Sequence, residues 1–400
     1  MRRPRKRGVL MVAYAHYPQD PRIKREAQSM VRAGISVSII CLRDQGERAR
    51  QMIEGVNVTR VPLTVRRGGR TRYLFQYLVF MLMVLANIRR VRASVPTTHV
   101  HVHSVPDFLV FVALPARVTG LRVILDLHEA MPELVAARFR TSPTSSIVAL
   151  ARAMELLSCM LAHDVITVNE RIRSLLVQRG IPAKKLTVIF NSPAIEFALP
   201  TGPGNRIVYA GGLNRERDIE VVIRAFSLVR AELGVPLFIY GRGEADYVAR
   251  LERLIVDLGL RGRVEVREQV PYQLAIEEMA RSIVGIVPYE HNPITEVAVP
   301  NKLFEFALAR RPLVVADLPA IREVVGDAAL YYSPGNPKDL AEKIRLSSRG
   351  GPEVQARVER AARIAAKLGW RVMENRLLKL YDEGGRPPEE YLSAEGEVIA

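Results

Sequence analysis

The chain has 400 residues, 48% of them hydrophobic and 25% charged, which is enough for two domains with their own cores and excludes a disordered or fibrous protein. The formal net charge of +16 lies in the first half: residues 1–200 carry 30 Lys and Arg against 13 Asp and Glu, and residues 201–400 carry 28 against 29. This excess predicts that the N-terminal half faces a polyanion, with an anionic membrane, a phosphate-bearing substrate and nucleic acid as candidates.

The first half alternates short β-branched runs with helical patterns. A basic segment, Met1–Arg7, comes first, and the apolar stretch after it is too short for a secretory signal and fits a buried strand. Cys41 and Cys159 lie in apolar stretches, as buried thiols of a reducing compartment do, so we expect a cytoplasmic protein. Helices are predicted over residues 22–33 and 145–162, and strands over residues 9–13, 37–41, 98–103, 123–127, 165–168 and 187–190.

Residues 73–88 form an apolar stretch that bears on membrane association. Because roughly twenty apolar residues are needed to span a bilayer, we do not expect this stretch to cross one. Two interpretations stay open: a helix that lies at an anionic membrane interface, and a core helix with a solvated basic end. The flanking basic residues are Arg66, Arg67, Arg70 and Arg72 before the stretch, and Arg89, Arg90 and Arg92 after it.

The second half repeats the alternation. Strands are predicted over residues 207–210, 237–240, 264–266, 284–287, 313–316 and 330–332, and helices over residues 220–233, 245–258, 272–281, 302–309, 337–347 and 356–381. Such alternation predicts parallel sheets with helices on both faces. Two series predict two doubly wound, Rossmann-like α/β domains that face each other across a cleft.

Proline and glycine cluster in residues 194–205, which we interpret as the linker between the domains. The N-terminal domain is placed at residues 1–198, completed by a C-terminal helix at about 368–384, and the C-terminal domain at residues 199–367, with a tail at 385–400. Because ligands of such sheets bind at the carboxyl ends of the strands, the residues that follow each strand are the candidate site.

Glycines follow two predicted strands of the second half. Gly211-Gly212 comes after residues 207–210, and Gly241-Arg242-Gly243 comes after residues 237–240. Glycines let the backbone approach a ligand closely, and Arg217, just before the next helix, can meet a phosphate. The alternative for each pair of glycines is a simple tight turn. A dinucleotide-dependent dehydrogenase is disfavoured, because no G-x-G-x-x-G pattern is present.

The segment Pro300-Asn301-Lys302-Leu303-Phe304-Glu305 begins a predicted helix. Asn301 is expected to cap this helix, whose first-turn N–H groups form an anion site, and Lys302 adds a positive charge there. Glu305 lies one turn further, within reach of a ribose diol. Its apolar neighbours make a lone buried carboxylate costly without a ligand or partner. The alternative is a first-turn glutamate stabilised by the helix dipole.

In the first half, His128 and Glu129 follow the predicted strand 123–127. A histidine at the carboxyl end of a strand is a candidate proton partner or hydroxyl-binding group, although a structural role is the alternative. His101 and His103 share one face of an earlier strand. Because no matching Cys or carboxylate cluster accompanies them in the sequence, we expect a structural pair rather than a metal site.

Taken in order, these residues resemble the retaining glycosyltransferases of the GT-B fold, in particular family 4. The resemblance covers roughly residues 8–382, and no single motif carries it. The motifs are Asp20-Pro21-Arg22-Ile23-Lys24-Arg25-Glu26-Ala27 with Gly34, His101-Val102-His103, Asp126-Leu127-His128-Glu129 with Pro132-Glu133, Val188-Ile189-Phe190-Asn191, Gly211-Gly212-Leu213 with Arg217, Gly241-Arg242-Gly243, and Pro300-Asn301-Lys302-Leu303-Phe304-Glu305 followed by Arg311-Pro312-Leu313-Val314-Val315.

The resemblance implies that the C-terminal domain binds a nucleotide-sugar, a UDP- or GDP-sugar being expected, with no metal ion and no resident cofactor. Glu305 resembles the family's ribose-binding glutamate. His128 resembles the histidine that lies against the transferred sugar, and Glu129 completes the expected catalytic pair. The expected donor-binding residues are Gly211, Gly212, Arg217, Gly241, Arg242, Val270, Pro300, Asn301, Lys302, Leu303 and Glu305. The expected acceptor-binding residues, all in the N-terminal domain, are His16, Asp20, Arg22, Arg25 and His103.

The sequence departs from the family pattern at three places. The first glutamate of the family's E-x7-E pair corresponds to Val297, and Glu296 is one residue away. The arginine that often follows the first glycine is Gly212. The lysine-glycine pair that usually starts the next helix is Arg217-Asp218. We expect Lys302 to replace the missing cation.

The expected activity is hexosyl transfer, with retained configuration, from a nucleotide-sugar to a lipid-linked or membrane-associated glycan in polysaccharide or cell-envelope biosynthesis. The protein is expected at the inner face of the cell membrane, as a peripheral protein. A non-catalytic nucleotide-sugar scaffold or sensor of the same fold is the alternative, favoured by Val297 and Gly212. A nucleic-acid binder is disfavoured, because the basic residues do not alternate with aromatic residues in a recognisable module. Oligomeric state stays open.

Overall fold

This computed structural model describes residues 7–65, 70–195, 197–382, 391–392 and 398–399. The predictions for residues 1–6, for Arg66 and Arg67 and for most of the tail 385–400 lie outside the described residues. The chain divides into two compact units. The first runs to Asn191 and is joined by a C-terminal segment from Arg371, and the second runs from Ser192 to Trp370.

The first unit is built on an eight-stranded sheet with the order β3-β4-β2-β1-β5-β6-β7-β8. Neighbouring strands are parallel except for β3 and β4. The strands are β1 Gly8–His16, β2 Ser36–Leu42, β3 Arg50–Ile53, β4 Val56–Val61, β5 His99–His103, β6 Arg122–Leu127, β7 Asp164–Thr167 and β8 Leu186–Val188.

The second unit is built on a six-stranded sheet with the order β11-β10-β9-β12-β13-β14, and all its neighbouring strands are parallel. Two parallel-sheet, Rossmann-like units confirm the predicted α/β fold class. The strands are β9 Arg206–Ala210, β10 Leu237–Tyr240, β11 Val264–Arg267, β12 Ser282–Val287, β13 Leu313–Ala316 and β14 Ala329–Tyr332, followed near the end of the chain by β15 Tyr391–Leu392 and β16 Val398–Ile399.

Helices connect the strands in both units, with a short 3-10 helix at Asp107–Ala113. In chain order the helices are α1 Pro21–Arg32, α2 Arg70–Ser94, α3 Leu114–Val118, α4 Met131–Phe139, α5 Ser146–Leu161, α6 Glu170–Gln178, α7 Ile219–Leu233, α8 Ala245–Asp257, α9 Tyr272–Ala280, α10 Asn301–Leu308, α11 Pro319–Val325, α12 Pro337–Ser348, α13 Pro352–Lys367 and α14 Trp370–Lys379.

The strands β3 and β4 were not predicted. They form an antiparallel hairpin at the edge of the first sheet, with a turn at Glu54 and Gly55, both of which have positive φ. The side chains of β3 are mostly exposed, so its sequence lacks the apolar run that marks a buried strand. Arg60 on β4 is buried, and its guanidinium donates to the carbonyl of Tyr17 at 3.0 Å.

The single late helix predicted over residues 356–381 is wrong, because two helices occupy that range. The helix α13 ends at Lys367, and α14 begins at Trp370. Between them, the N–H of Gly369 donates to the carbonyl of Ala366 at 3.2 Å, a three-residue spacing that tightens and ends a helix. Glycine also has a low helix propensity.

The segment from Arg371 belongs to the first unit through specific contacts. The N–H of Phe190 donates to Sδ of Met373 at 3.2 Å. Near the end of this segment, the hydroxyl of Tyr381 lies 2.6 Å from Nδ1 of His101 on the central strand β5. The C-terminal residues therefore pack into the core that the N-terminal residues build.

The apolar segment near residue 80 is longer than predicted. The helix α2 has 25 residues, and its segment Thr71–Ala93 is long and apolar enough to cross a membrane by length and composition alone. The conclusion that this segment is too short to span was therefore wrong. Phe80, Val84 and Ile88 are buried on the side of the helix that packs on β1 and β4. The opposite face exposes Leu74, Phe75, Leu78, Leu82 and Leu85.

Candidate active site

The predicted donor-binding residues of the second unit lie at the switch point of its sheet. The strands on one side of β9 are β10 and β11, and on the other side β12, β13 and β14. The strand order thus reverses between β9 and β12, where open α/β sheets bind ligands beyond their carboxyl ends. The loops after β9 and β10 are joined by backbone hydrogen bonds, one of them from the N–H of Leu213 to the carbonyl of Arg242 at 2.8 Å.

Two glycines let these loops approach each other. Gly211 has a φ of +150°, and a Cβ there would lie 2.4 Å from Nζ of Lys302. A Cβ on Gly241 would lie 2.0 Å from the carbonyl oxygen of Gly211. Any larger residue at either position would displace the neighbouring loop or Lys302. Gly212 is exposed, and its carbonyl accepts a hydrogen bond from the hydroxyl of Tyr209 at 2.9 Å.

Lys302 and Glu305 project from the first turns of α10 into this region. Nζ of Lys302 lies 4.9 Å from the centre of the Tyr209 ring. Burial and the positive charge of Arg217 together lower the pKa of Lys302 to about 8, whereas Glu305 opposes the shift. The side chain of Glu305 is 7% exposed and accepts a hydrogen bond from the hydroxyl of Tyr272 at 3.2 Å. Burial raises the pKa of Glu305, whereas the positive charge of Lys302 and the hydrogen bond from Tyr272 act to lower it.

The beginning of α10 differs from the prediction. Asn301 was expected to cap the helix, but it is the first helical residue, and Pro300 occupies the cap position without a side-chain hydrogen bond. The fixed φ of proline suits the entry to a helix, so a side-chain cap is not needed for the turn to form. Leu303, another predicted donor-binding residue of this segment, is fully buried, and its N–H donates to the carbonyl of Pro300 at 3.0 Å.

Arg217 lies in the loop after β9. Its guanidinium stacks over Tyr289, with the carbon of the guanidinium 4.5 Å from the ring centre. The backbone N–H of Arg217 donates to the side chain of Asn214 at 3.2 Å, which fixes the short 3-10 turn on which the arginine sits. Arg242 is exposed at the end of β10, and Val270 is half-buried in the loop between β11 and α9.

This chain has a buried apolar residue where the family has the first glutamate of its E-x7-E pair. Val297 is 6% exposed. Glu296 is turned to His291, whose Nε2 lies 2.8 Å from Oε1 of the glutamate. Glu290 accepts a hydrogen bond from the amide of Asn292 at 3.1 Å. Both carboxylates are therefore engaged within their own loop.

In the first unit, five predicted residues line one cavity of about 200 Å³ at the carboxyl ends of the strands. They are Asp20, Arg22, His103, His128 and Glu129. The other two predicted acceptor-binding residues are not among its lining residues. His16 ends β1, and the guanidinium of Arg25 donates to the side chain of Asn191 at 2.6 Å.

His128 is buried against its own strand and the one beside it. Its Nε2 lies 3.4 Å from Oδ2 of Asp126 and 3.2 Å from Nδ1 of His103, and its backbone N–H donates to the hydroxyl of Ser104 at 3.2 Å. Burial, together with the positive charge of Arg22 and with His103, lowers the pKa of His128 to about 3, although the carboxylate of Asp126 opposes the shift. The imidazole is therefore neutral at physiological pH.

Asp126 is the centre of a buried network that the sequence did not predict. Burial opposes its ionisation, but His128, His101 and His103 together hold the pKa of Asp126 well below its ordinary value. Glu26 on α1 completes the network, with Oε2 3.8 Å from Nε2 of His101. Burial raises the pKa of Glu26 well above its ordinary value, and Asp126 adds to this effect.

This network has the residue types of a metal site. Glu26, His101, His103 and Asp126 each offer a ligand atom, and these atoms all lie within 4.8 Å of one another. Imidazole and carboxylate groups suit zinc and other transition metals. The sequence pattern missed this grouping, because Glu26 and Asp126 reach the two histidines from other elements and no spacing in the sequence marks them.

The predicted acceptor residues Asp20 and Arg22 pair with each other. Asp20 caps α1, accepting from the backbone N–H of Arg22 at 3.0 Å, and Nη2 of Arg22 donates to its carboxylate at 2.9 Å. Although burial opposes ionisation, the hydrogen bonds and charge of Arg22 lower the pKa of Asp20 to about 2. The opposite charges of this pair therefore cancel within the cavity.

Two family models match the chain. Residues 19–192 match the "Glycosyl transferase 4-like domain", and residues 204–347 match "Glycosyl transferases group 1". The consecutive matches cover most of both units, and together with the fold they define a GT-B transferase. The two matches support a glycosyltransferase, with the group 1 model lying over the second unit. A search of curated protein sequences found no significant match.

Solved structures share the fold at low identity. Sucrose-phosphate synthase from Thermosynechococcus elongatus is 13% identical with a TM-score of 0.73, and the match covers 94% of this chain and 98% of that one. Anabaena HepE in complex with UDP and glucose is 15% identical with a TM-score of 0.68, covering 93% and 98%. WaaG, a glycosyltransferase involved in lipopolysaccharide biosynthesis, is 14% identical with a TM-score of 0.63, covering 92% and 99%.

Proposed function

We propose that this glycosyltransferase moves a hexosyl group from a nucleotide-sugar to a lipid-linked or membrane-associated glycan, with retained anomeric configuration and without a metal ion. The observation that carries the proposal is the set of charges at the switch point of the second sheet. Lys302 and Arg217 lie there beside the buried carboxylate of Glu305. The complexes of Anabaena HepE with UDP and with UDP-glucose support a nucleotide donor.

Each of these charges has a counterpart in a nucleoside diphosphate. Lys302 and Arg217 repel each other, and burial makes the charged form of Lys302 costly. A bound diphosphate removes both penalties, because anions are stabilised by cations and by the first turn of a helix. Glu305, one turn further along α10, accepts hydrogen bonds from the ribose hydroxyls. The glycines at 211 and 241 let the backbone come close to the ligand.

In the transfer, the bond between the anomeric carbon and the diphosphate oxygen breaks, and its electron pair stays with the diphosphate. The acceptor hydroxyl bonds to that carbon on the same face, and its proton leaves with the diphosphate. Lys302 and Arg217 stabilise the charge that develops on the leaving group. His128 contacts the transferred sugar as a neutral imidazole, with Nε2 held by Asp126 and His103. Its Nδ1 is thus the ring atom available to a hydroxyl group.

The exposed face of α2 supports an anionic membrane as the second partner. Its exposed leucines and Phe75 are accompanied by exposed Arg72, Arg89 and Arg90, the combination by which helices bind at an anionic interface. We expect the protein to co-sediment with vesicles that contain phosphatidylglycerol more than with phosphatidylcholine alone. Phe75→Ser should weaken this binding, and Leu228→Ser, an exposed position of the second unit, should not. Equal binding to both kinds of vesicle would show that the exposed arginines do not contribute to membrane binding.

One observation favours a second function. Val297 stands where the family has a glutamate, and it is buried, so the chain lacks a carboxylate at that position. A nucleotide-sugar scaffold or sensor that binds the donor without transferring it is compatible with this change.

A two-stage experiment tests both functions. First, thermal shift with UDP, GDP, ADP and dTDP finds the base, because a ligand that binds the folded state raises its stability. Second, release of nucleoside diphosphate is measured with the matching nucleotide-sugars. If the protein is an enzyme, it should release more nucleoside diphosphate than its Glu305→Ala variant does. Binding without release in any donor identifies the scaffold, and no stabilisation by any nucleotide would refute both.

A further inference from the structure

A second, apolar cavity of about 260 Å³ lies in the first unit, between α2, α4 and α5. Aliphatic and aromatic side chains make up most of its walls, among them Leu74, Tyr77, Leu134 and Leu150. The proposed transfer reaction uses none of these side chains. The cavity therefore needs an explanation of its own.

The cavity is open rather than a void sealed in the core. Leu74 and Leu150, which line it, are 52% and 61% exposed. Exposed apolar patches of this kind mark sites that a partner covers. Apolar cavities bind apolar ligands, because water finds few hydrogen-bond partners inside them. The chemistry of the walls thus indicates a hydrocarbon ligand.

Among the lining residues that the structure describes, Arg138 is the single cation. The guanidinium of Arg138 stacks over Tyr73, 4.9 Å from the ring centre, and donates to the hydroxyl of the same tyrosine at 3.1 Å. Within this described part of the lining, Asp107 is the only acidic residue. Burial raises the pKa of Asp107 well above its ordinary value, so this carboxyl group is neutral and does not repel an anion. An occupant with one negative group next to a hydrocarbon chain fits these charges.

The apolar cavity adjoins the cavity that holds His128. Val105 lines both cavities. Asp107 and Phe108, just after it in the chain, line the apolar side, and Ser104, just before it, lines the side with His128. A molecule that passes Val105 therefore places one end among the apolar side chains and the other beside the candidate catalytic residues.

We propose that this cavity holds the hydrocarbon chain of a lipid-phosphate acceptor, with Arg138 binding its phosphate and its sugar-bearing end beside His128. The inference rests on the proposed function only in that the acceptor carries a lipid. A lipid is the occupant that fits, because a protein segment seated across Val105 would cover the candidate catalytic cavity. The exposed arginines of α2 also complement an anionic lipid surface.

The test measures binding of butyl, hexyl and octyl phosphate to the full chain by calorimetry, in the presence of UDP and below the micelle concentration of each. Burying one methylene contributes about 0.8 kcal/mol, so affinity should rise about fourfold per methylene while the cavity fills. Ala151→Phe fills the cavity from α5 and should remove the dependence on chain length. Ala149→Phe makes the same change at an exposed position of α5 outside the cavity. In this variant the dependence of affinity on chain length should remain.

Three results overturn the proposal: affinity independent of chain length, the same loss in both variants, or a self-association that Ala151→Phe abolishes while alkyl phosphates have no effect. The last would make a second copy the occupant. Membrane binding is separated by vesicle co-sedimentation, which should persist in Ala151→Phe because the outer face of α2 is unchanged. Failure of the proposed function would be seen in a separate assay: the unmodified protein would release no nucleoside diphosphate, whatever the result with alkyl phosphates.

Discussion

In the first unit the candidate site centres on a buried carboxylate among imidazoles, whereas in the second unit it centres on two neighbouring cations. Asp126 is surrounded by imidazoles, and Asp20 is paired with Arg22. In the second unit, Lys302 faces another cation, and burial works against its charge. The first site thus has one carboxylate among neutral imidazoles beside the paired Asp20 and Arg22, and the second has two cations beside the carboxylate of Glu305.

The difference assigns a separate physical task to each site. A site of closely packed imidazole and carboxylate groups orients a sugar hydroxyl by hydrogen bonds. A site with two neighbouring cations gains much of its binding energy from an anionic ligand. This agrees with an uncharged reacting sugar at His128 and a diphosphate at Lys302, and the predictions below test that division.

Replacing His128 should have the largest effect, and the effect should be on turnover. We expect His128→Ala to lower kcat by about a hundredfold or more, as removal of one preorganised hydrogen-bonding group does, with the Kd of UDP unchanged. His128→Gln, which keeps a neutral hydrogen-bonding group, should recover part of the rate. Because burial lowers the pKa of His128 to about 3, kcat should not fall with protonation between pH 8 and 5. A rate that halves near pH 6.5 through His128 would show that the imidazole is not held neutral.

Replacing Lys302 should affect binding instead. Loss of a hydrogen bond to a charged group costs about 1.5–3 kcal/mol, so Lys302→Ala should weaken UDP binding by about ten- to a hundredfold. The thermal stability without ligand should not fall, because the change also removes the repulsion from Arg217. Lys338→Ala, at an exposed position on α12, is the matched control. Unchanged affinity for UDP in Lys302→Ala would remove this lysine from the donor site.

The fold follows from the sequence because buried parallel strands read as continuous apolar runs. The runs at Leu237–Tyr240 and Leu313–Ala316 coincide with the observed strands. The hairpin of β3 and β4 was missed because β3 is an exposed, polar edge. The break between α13 and α14 was missed because the helical pattern continues across Gly369.

The candidate site was predictable only where the residues stand directly after a strand or at the start of a helix. Gly211, Lys302 and His128 were found in this way. The partners that shift the pKa values of the site residues were not predicted. Tyr272 is 33 positions from Glu305 in the chain, and Glu26 comes close to His101 only in the folded protein. Distances of this kind depend on tertiary packing, which no local pattern records.

The pH dependence of UDP binding sharpens the same comparison. Burial lowers the pKa of Lys302 to about 8 in the protein without ligand, so the lysine loses its charge as the pH rises through 8. The diphosphate stays ionised there, since its last pKa lies near 6. Affinity for UDP should therefore fall above pH 8, by at most about tenfold per pH unit, with a proton taken up on binding. Calorimetry in buffers of different ionisation enthalpy measures both, and Lys302→Ala should show neither. A flat profile in the unmodified protein would contradict the buried position of this charge.

The smallest effect is expected at Tyr272, which the sequence did not single out. Its hydroxyl donates to Glu305 at 3.2 Å, although the residue is 50% exposed. A single hydrogen bond of this kind contributes about 1 kcal/mol, so Tyr272→Phe should weaken UDP binding by about fivefold. If the tyrosine orients Glu305 toward a ribose, inorganic pyrophosphate should bind the variant as it binds the unmodified protein. Gln273→Ala, next to it on α9 and exposed, is the control. An equal loss for UDP and pyrophosphate would mean that Tyr272 supports the whole end of α10 and has no particular relation to the ribose.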